Sequence, residues 1–215
     1  MPAPRRFTPE ALRDAALAIV DADGLDALTM RALAGRLGTG AMTIYNYVDG
    51  RDGLNALVAA AVLADAPAFP PTGRADWAGE VRSLAEWLWR AVRAHPNAIP
   101  LLLNRRTTDE STMAYAEALL GALRRSGRSG FALLAAFRAV TGFVTGFAQA
   151  RLVAEGDPDP ALAHALTLPA ERYPGLREIA EATTATTRDA EFTAALDLIL
   201  TALRVSTPDS VGSAQ

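Results

Sequence analysis

Apolar residues recur every three or four positions along almost the whole chain and hardly anywhere in alternation, so the pattern predicts helices throughout. Thr8-Pro9-Glu10 is a strong helix start, with a hydroxyl cap, proline at the first helical position and an acid in the first turn. Leu12, Ala16, Ile19 and Val20 keep helical spacing up to Gly24, a natural stop. Thr29 caps a second, short helix that turns Leu33 and Leu37 inward. Gly38-Thr39-Gly40 then turns the chain, and Ala41 to Val48 reads as a third helix ended by Asp49-Gly50. Arg51-Asp52 opens a fourth, carrying Leu54, Leu57, Val58, Ala61 and Val62.

Pro67, Pro70, Pro71 and Gly73 break the periodicity and mark a domain boundary. Beyond it the pattern predicts an amphipathic helix from Asp76 to His95 that carries all three tryptophans. A short apolar one follows from Ala98 to Leu103, then Asp109 to Arg125, a long helix from Phe131 to Val153, and closing helices at 176–184 and 188–204. Residues 156–175 read as a loop with room for one helical turn. The expected fold is all-α: residues 1–50 form a small head, 51–66 a connecting helix, 67–205 a helical body, and 206–215 a small polar tail.

Composition adds limits. No unbroken apolar run reaches the ~18–20 residues that cross a bilayer. Met1 to Arg6 lacks the apolar stretch of a signal peptide. With no cysteine there is no disulfide or thiolate chemistry, and a cytoplasmic protein is expected. All 21 basic residues are arginine, so lysine Schiff-base chemistry is excluded and any cationic phosphate contact comes from guanidinium. With two separated histidines and no paired carboxylates in an apolar stretch, the parts of an active site are missing, and the chain is not expected to be an enzyme.

The segment from Leu28 to Val48 has the make-up of a helix-turn-helix. Leu33, Leu37 and Ile44 supply a small core, which leaves Thr39, Gly40, Ala41, Met42, Thr43, Asn46 and Tyr47 on or near the outward face. That face is nearly uncharged, short-chained at one end and aromatic at the other. Such a face suits close approach to a major groove, with methyl contacts and hydroxyl or amide bonds to base edges. Charge does not help it: residues 1–53 hold Arg5, Arg6, Arg13, Arg31, Arg36 and Arg51 against Glu10, Asp14, Asp21, Asp23, Asp26, Asp49 and Asp52. A DNA-reading head must therefore work by placement of groups, not by bulk charge. The other reading is a ligand-binding or interaction module whose head no longer reads DNA.

The pattern Thr-x-Arg-x-Leu-Ala, Leu-Gly, Thr-Ile-Tyr-x-Tyr-Val between Leu28 and Asp52 resembles the tetracycline-repressor (TetR) family of bacterial regulators. Within the body, Trp77 to His95, Ala139 to Gly146 and Phe192 to Leu200 are similar to the tetracycline repressor's own branch. The resemblance implies that Thr29 and Arg31 stand at the start of the second helix, with Arg31 reaching a guanine edge or a phosphate. It implies that Thr39, Gly40, Ala41, Met42 and Thr43 read bases, that Tyr45, Asn46 and Tyr47 touch phosphates and bases, and that Arg51 anchors a further phosphate. Gly40 and Ala41 stand where the tetracycline repressor has longer polar side chains, and Met42 where it has proline, so the operator sequence does not carry over. Tyr45 has a second reading as a core ring, Arg36 as a solvated surface residue, and Arg5 and Arg6 as either a minor-groove arm or a plain polar start.

The helix from Phe131 to Val153 is too apolar for a solvent face, its polar line being only Arg138, Thr141, Thr145 and Gln149. One side is expected on the core and another on a second copy of the chain, with Gly142 and Gly146 allowing close approach. Residues Leu196, Ile199, Leu200 and Leu203 of the last helix offer a second strip. The resemblance implies that these two helices pair across a two-fold axis, giving a homodimer on a pseudo-palindromic double-stranded operator. Leu84, Trp87, Trp89, Leu88, Leu102, Tyr115, Leu119, Leu134, Phe137 and Thr141 are the candidates for a pocket holding a small, largely apolar effector. The tetracycline repressor holds its drug through magnesium bound by a histidine and, through water, a glutamate. The matching positions here fall at Leu102 and near Ala150, so no metal or other cofactor is expected. The expected activity is that of a ligand-released repressor.

Overall fold

The computed structural model describes residues 7–103, 110–153 and 160–206; the tail from 207 onward, Arg5 and Arg6 lie outside them. The head comprises α1 (Pro9–Asp23), α2 (Met30–Arg36), α3 (Ala41–Tyr45) and α4 (Gly50–Asp65). The body comprises α5 (Trp77–Ala94), α6 (Ile99–Leu103), α7 (Glu110–Arg125), α8 (Gly130–Ala148), α9 (Pro160–Ala165), α10 (Pro174–Thr184) and α11 (Arg188–Val205). Among the described residues there is no strand.

The caps lie where the sequence puts them. The hydroxyl of Thr8 accepts from the Ala11 N–H, and that of Thr29 from the Ala32 N–H, which satisfies an orphan donor in each first turn. Gly38, at φ +64°, lets the chain turn between α2 and α3 in a conformation that other residues adopt at a cost. The third helix is shorter than expected, closing at Tyr45 as Tyr47 and Val48 bond back to the Ile44 carbonyl. A Cβ on Gly53 would come within 2.8 Å of the Val48 side chain, so α4 can start close beneath this turn only with glycine there.

Two apolar clusters hold the molecule together. The first is built on Ala16, Val20, Leu28, Leu33, Ile44, Val58 and Val62, all fully buried, and it runs on into the body through Ala91, Ala98 and Leu101. The second gathers Leu84, Leu88, Trp87, Trp89, Leu119, Leu123, Val140, Val144, Phe192, Leu196 and Leu200. Phe192 is its centre, with ring centroids 4.9 Å from Trp89, 5.2 Å from Phe143 and 5.5 Å from Phe147. Burial on this scale, at about 25 cal/mol per Å² of apolar surface, dominates the folding free energy.

Polar contacts fix head to body. The His95 ring, at the end of α5, has Nδ1 2.9 Å from an Asp21 carboxylate oxygen and Nε2 3.1 Å from one of Asp65. Asn97 donates to the Val20 and Asp21 carbonyls at the end of α1, the first of which also accepts the Gly24 N–H. The Pro-rich connection is itself anchored. Buried Glu80 accepts from the Gly73 and Arg74 N–H groups and pairs with Arg125 at 2.6 Å.

Helix α8 differs from expectation in one respect. With the wide π turn that follows it at Gln149–Val153, it forms a segment of 23 residues, Gly130–Leu152, at mean hydropathy 1.6. By length and composition alone this segment is apolar enough to cross a bilayer. Arg138 and Thr141 interrupt it, so it holds no unbroken apolar run of that length. Its inner face, Leu133, Ala136, Val140, Val144 and Ala148, is buried. Its outer face carries Phe131, Leu134, Ala135, Ala139, Gly142 and Gly146 exposed.

The last helix carries two apolar faces, and the strip expected to meet a partner turns mostly inward. Leu196 and Leu200 lie in the body core, so neither is available to a partner. Ile199 and Leu203 are half-buried at the edge, while Leu198 and Val205 stand outward at 74% and 77% exposure. Both strips are apolar at helical spacing. The aromatic cluster around Phe192 selects the one that continues its own face at 196 and 200.

Candidate DNA-reading face and effector cavities

The face that α3 presents is built by its neighbours. Ile44 is its buried anchor, and that fixes which residues point away: Met42 is 78% exposed and Tyr45 55%. Gly40 and Asn46 are exposed, and Thr39, Ala41 and Thr43 half-buried beside them. Of the two readings of Tyr45, its exposure excludes the core ring. Arg31 and Arg36 extend from α2 exposed, neither engaged by another group among the described residues.

Two of the expected contact residues have structural work as well. The hydroxyl of Tyr47 accepts from the Phe7 N–H at 3.3 Å, and the two rings meet edge to face. That contact ties the start of α1 to the turn after α3. Arg51 donates through Nη1 to the Leu28 carbonyl at 2.5 Å and through Nη2 to the Leu25 carbonyl at 3.0 Å. Its guanidinium thereby joins the start of α4 to the chain entering α2. Thr29 is spent as the α2 cap. Sequence spacing could not reveal these bonds, because each joins residues brought together only by the fold.

In the body, Leu84, Trp87, Leu88, Tyr115 and Leu119 pack into the core, with Trp87 stacked on Tyr115 at 5.7 Å. Trp89 stacks on Phe192 and donates its indole N–H to Asp189 at 2.8 Å. That bond and the Arg93 guanidinium hold the Asp189 carboxyl below its usual range. Phe137 and Thr141 are half-buried, and the Thr141 hydroxyl is spent on the Phe137 carbonyl. Leu134 is 39% exposed on the outer face of α8, away from the core, since α8 uses Leu133 and Ala136 inward. The Leu102 side chain lies outside the described residues. Burial pushes the Tyr115 phenol well above its usual range, and its hydroxyl has no hydrogen-bond partner.

Two cavities among the described residues open on these elements. One of about 400 Å³ lies against the end of α4, bordered by Leu63, Ala66, Phe69, Trp87, Ser111 and Ala114. The other, of about 750 Å³, lies between the end of α5, the π turn, α9, α10 and the start of α11. Among the described residues no group of three or more histidines and acids is placed to hold a metal ion.

A family model described as "Tetracyclin repressor-like, C-terminal domain" matches residues 69–206. The HTH-type transcriptional repressor DrrR1 of Streptomyces coeruleorubidus is 30% identical over 146 residues, 68% of this chain and 54% of its own length. The chain thus spans about half of that relative. An HTH-type transcriptional regulator of Saccharopolyspora erythraea is 30% identical over 174 residues, 79% of this chain and 73% of its own. The crystal structure of apo ActR from Streptomyces coelicolor superposes with a TM-score of 0.77 at 30% identity, covering 92% of this chain and 95% of that one. ActR in complex with actinorhodin superposes at 0.76 and 29% identity, covering 94% and 96%. The all-helical head and body, the exposed α3 face and these likenesses agree: the chain belongs to the tetracycline-repressor (TetR) family of helix-turn-helix transcription regulators.

Proposed function

We propose that this chain is a repressor that binds a pseudo-palindromic operator as a homodimer in the cytoplasm and is released by a small, largely apolar effector. The observation that carries the DNA-reading part is the α3 face, where Met42 and Tyr45 are exposed beside the unengaged guanidiniums of Arg31 and Arg36. Exposed apolar and aromatic groups set beside unengaged guanidiniums suit a partner surface that offers both apolar and anionic groups. A major groove offers thymine methyls and base edges to those groups, and phosphates to the arginines. Gly40, Ala41 and Thr43 allow the helix to come close. Arg51 and Tyr47, held by their intramolecular bonds, keep α3 and α4 in register for that approach.

The dimer reading is supported by the outer faces of α8 and α11. Phe131, Leu134, Gly142 and Gly146 on one helix and Leu198 and Val205 on the other are apolar or small and exposed. A second copy laid across them would complete a four-helix bundle and set two α3 helices a helical turn of DNA or more apart. The effector reading rests on the 400 Å³ cavity, whose wall includes Leu63 and Ala66 at the end of α4. The same helix supplies Val58 and Val62 to the head core, so a ligand that displaces its end moves the head.

Fluorescence anisotropy on the DNA flanking the gene tests this. Tight binding that depends on sequence is expected, with Arg31→Ala weakening it about 10-fold or more, as for loss of one base or phosphate contact. Leu198→Arg is expected to give monomers by sedimentation and to abolish operator binding without unfolding the chain. Binding indifferent to sequence, or an Arg31→Ala chain that binds like wild type, overturns the reading.

A further inference from the structure

The 750 Å³ cavity is built differently from an apolar core site. Its wall carries Arg93, Arg151 and Arg188, a run of threonine hydroxyls at 183, 184, 186 and 187, and the apolar side chains Leu162 and Leu166. Arg151 decides its chemistry. The side chain is only 10% exposed, one end of its guanidinium pairs with Glu191 at 3.0 Å, and its Nε–H is buried with no hydrogen-bond partner. A buried guanidinium donor left unsatisfied costs free energy that an incoming acceptor recovers. The threonines have the opposite character. The hydroxyls of Thr183, Thr184 and Thr186 already donate to the Ile179, Glu181 and Ala182 carbonyls, so only their lone pairs face a ligand.

The geometry points to a binding site for a hydroxylated organic acid, with the carboxylate at Arg151, hydroxyls donating to the threonine wall and the carbon frame against Leu162 and Leu166. Asp189 pairs with Arg93 and Glu191 with one end of the Arg151 guanidinium, which leaves the buried Nε–H of Arg151 as the charged donor for an incoming carboxylate. The volume lies in the range that holds molecules of several rings. Arg151 follows Val144 and Ala148 on the inner face of α8, within the π turn that ends it, and so lines the cavity. This site is distinct from the cavity at α4, and its occupation is measured without DNA, so its failure and that of the repressor reading are separable.

The probes are 3-hydroxy-2-naphthoate and its neutral amide, titrated by calorimetry into the full chain. The acid is expected to bind at least about 10-fold more tightly than the amide, and Arg151→Met to remove that difference. Because Arg151→Met also breaks the Glu191 pair, Leu166→Trp serves as a second variant, filling the cavity while keeping every arginine; it is expected to abolish binding of both probes with the melting temperature preserved. Equal affinity for acid and amide, acid binding that survives both substitutions, or no saturable heat up to about 5 mM acid overturns the assignment.

Discussion

Glu80 offers the clearest quantitative test of how the body is assembled. Its carboxylate is fully buried and holds three donors at once: the Gly73 N–H at 3.2 Å, the Arg74 N–H at 2.7 Å and the Arg125 guanidinium at 2.6 Å. Removing one partner of a buried ion pair costs about 3–5 kcal/mol when the other charge stays dry. Here the other charge does not stay dry, because Arg125 is 35% exposed and Gly73 and Arg74 lie in an exposed connection, so water reaches the freed donors. About 2–3 kcal/mol is therefore expected for Glu80→Ala, which for a chain of this size lowers the melting temperature by roughly 5–10 °C. Glu80→Gln keeps one acceptor oxygen and the packing but loses the charge, and should fall between the two, nearer wild type. Thermal unfolding followed by circular dichroism at neutral pH measures the series. If Glu80→Ala melts within about 2 °C of wild type, or if the glutamine variant is the worse of the two, the carboxylate is not holding the connection as described.

Three further outcomes follow from the same contacts. Tyr115→Phe removes a buried hydroxyl that bonds to nothing and keeps the ring stacked on Trp87, so it should be neutral or stabilising by up to about 1 kcal/mol in urea unfolding; a clear loss would mean the hydroxyl has a partner in solution. Phe192→Ala empties the centre of the aromatic cluster and should cost about 3–5 kcal/mol, a fall of roughly 10–15 °C in melting temperature. Asp189, whose pKa in the folded chain is lowered first by the Trp89 indole N–H and then by Arg93, adds stability that is present above the ordinary carboxylate range and lost as pH falls through it. The stability gap between wild type and Asp189→Asn should therefore narrow on going from about pH 6 to about pH 3; a gap that widens would reverse the sign of this linkage.

How much was legible in the sequence depended on whether a residue's role was local. Thr8, Thr29 and Gly38 act on their own neighbours, and the helices they bound lie within a few residues of where spacing puts them. Ile44 faces inward and Met42 outward for the same reason, since five residues of helix leave little choice of side. Helix α11 was not legible in this way. Its strips at 192, 196, 199, 200 and 203 and at 194, 198, 202 and 205 are both apolar, and only the rings of Trp89, Phe143 and Phe147, supplied by distant helices, decide which is inside. The aromatic residues expected around a ligand had the same ambiguity, because a tryptophan stacked in a core and one lining a cavity have the same sequence. The arginines of the larger cavity gave no signal at all, being separated by 58 residues between Arg93 and Arg151, and neither stands in a motif. Arg51 was read for its charge, but its two carbonyl contacts span 23 and 26 residues and depend on the turn before α2.

The way the head borrows from the body bears on how such regulators can be recombined. Ala91, Ala98 and Leu101 complete the head's apolar cluster, while His95 and Asn97 close on the end of α1 from beyond the proline-rich break. A transplant that moved only residues 1–66 onto a relative's body would part the head's apolar cluster from Ala91, Ala98 and Leu101, and Asp21 and Asp65 from their imidazole. The unit that can be traded between chains is discontinuous, the four head helices together with the 91–101 segment, so a new operator preference is inherited more readily by altering the α3 surface than by exchanging the whole head.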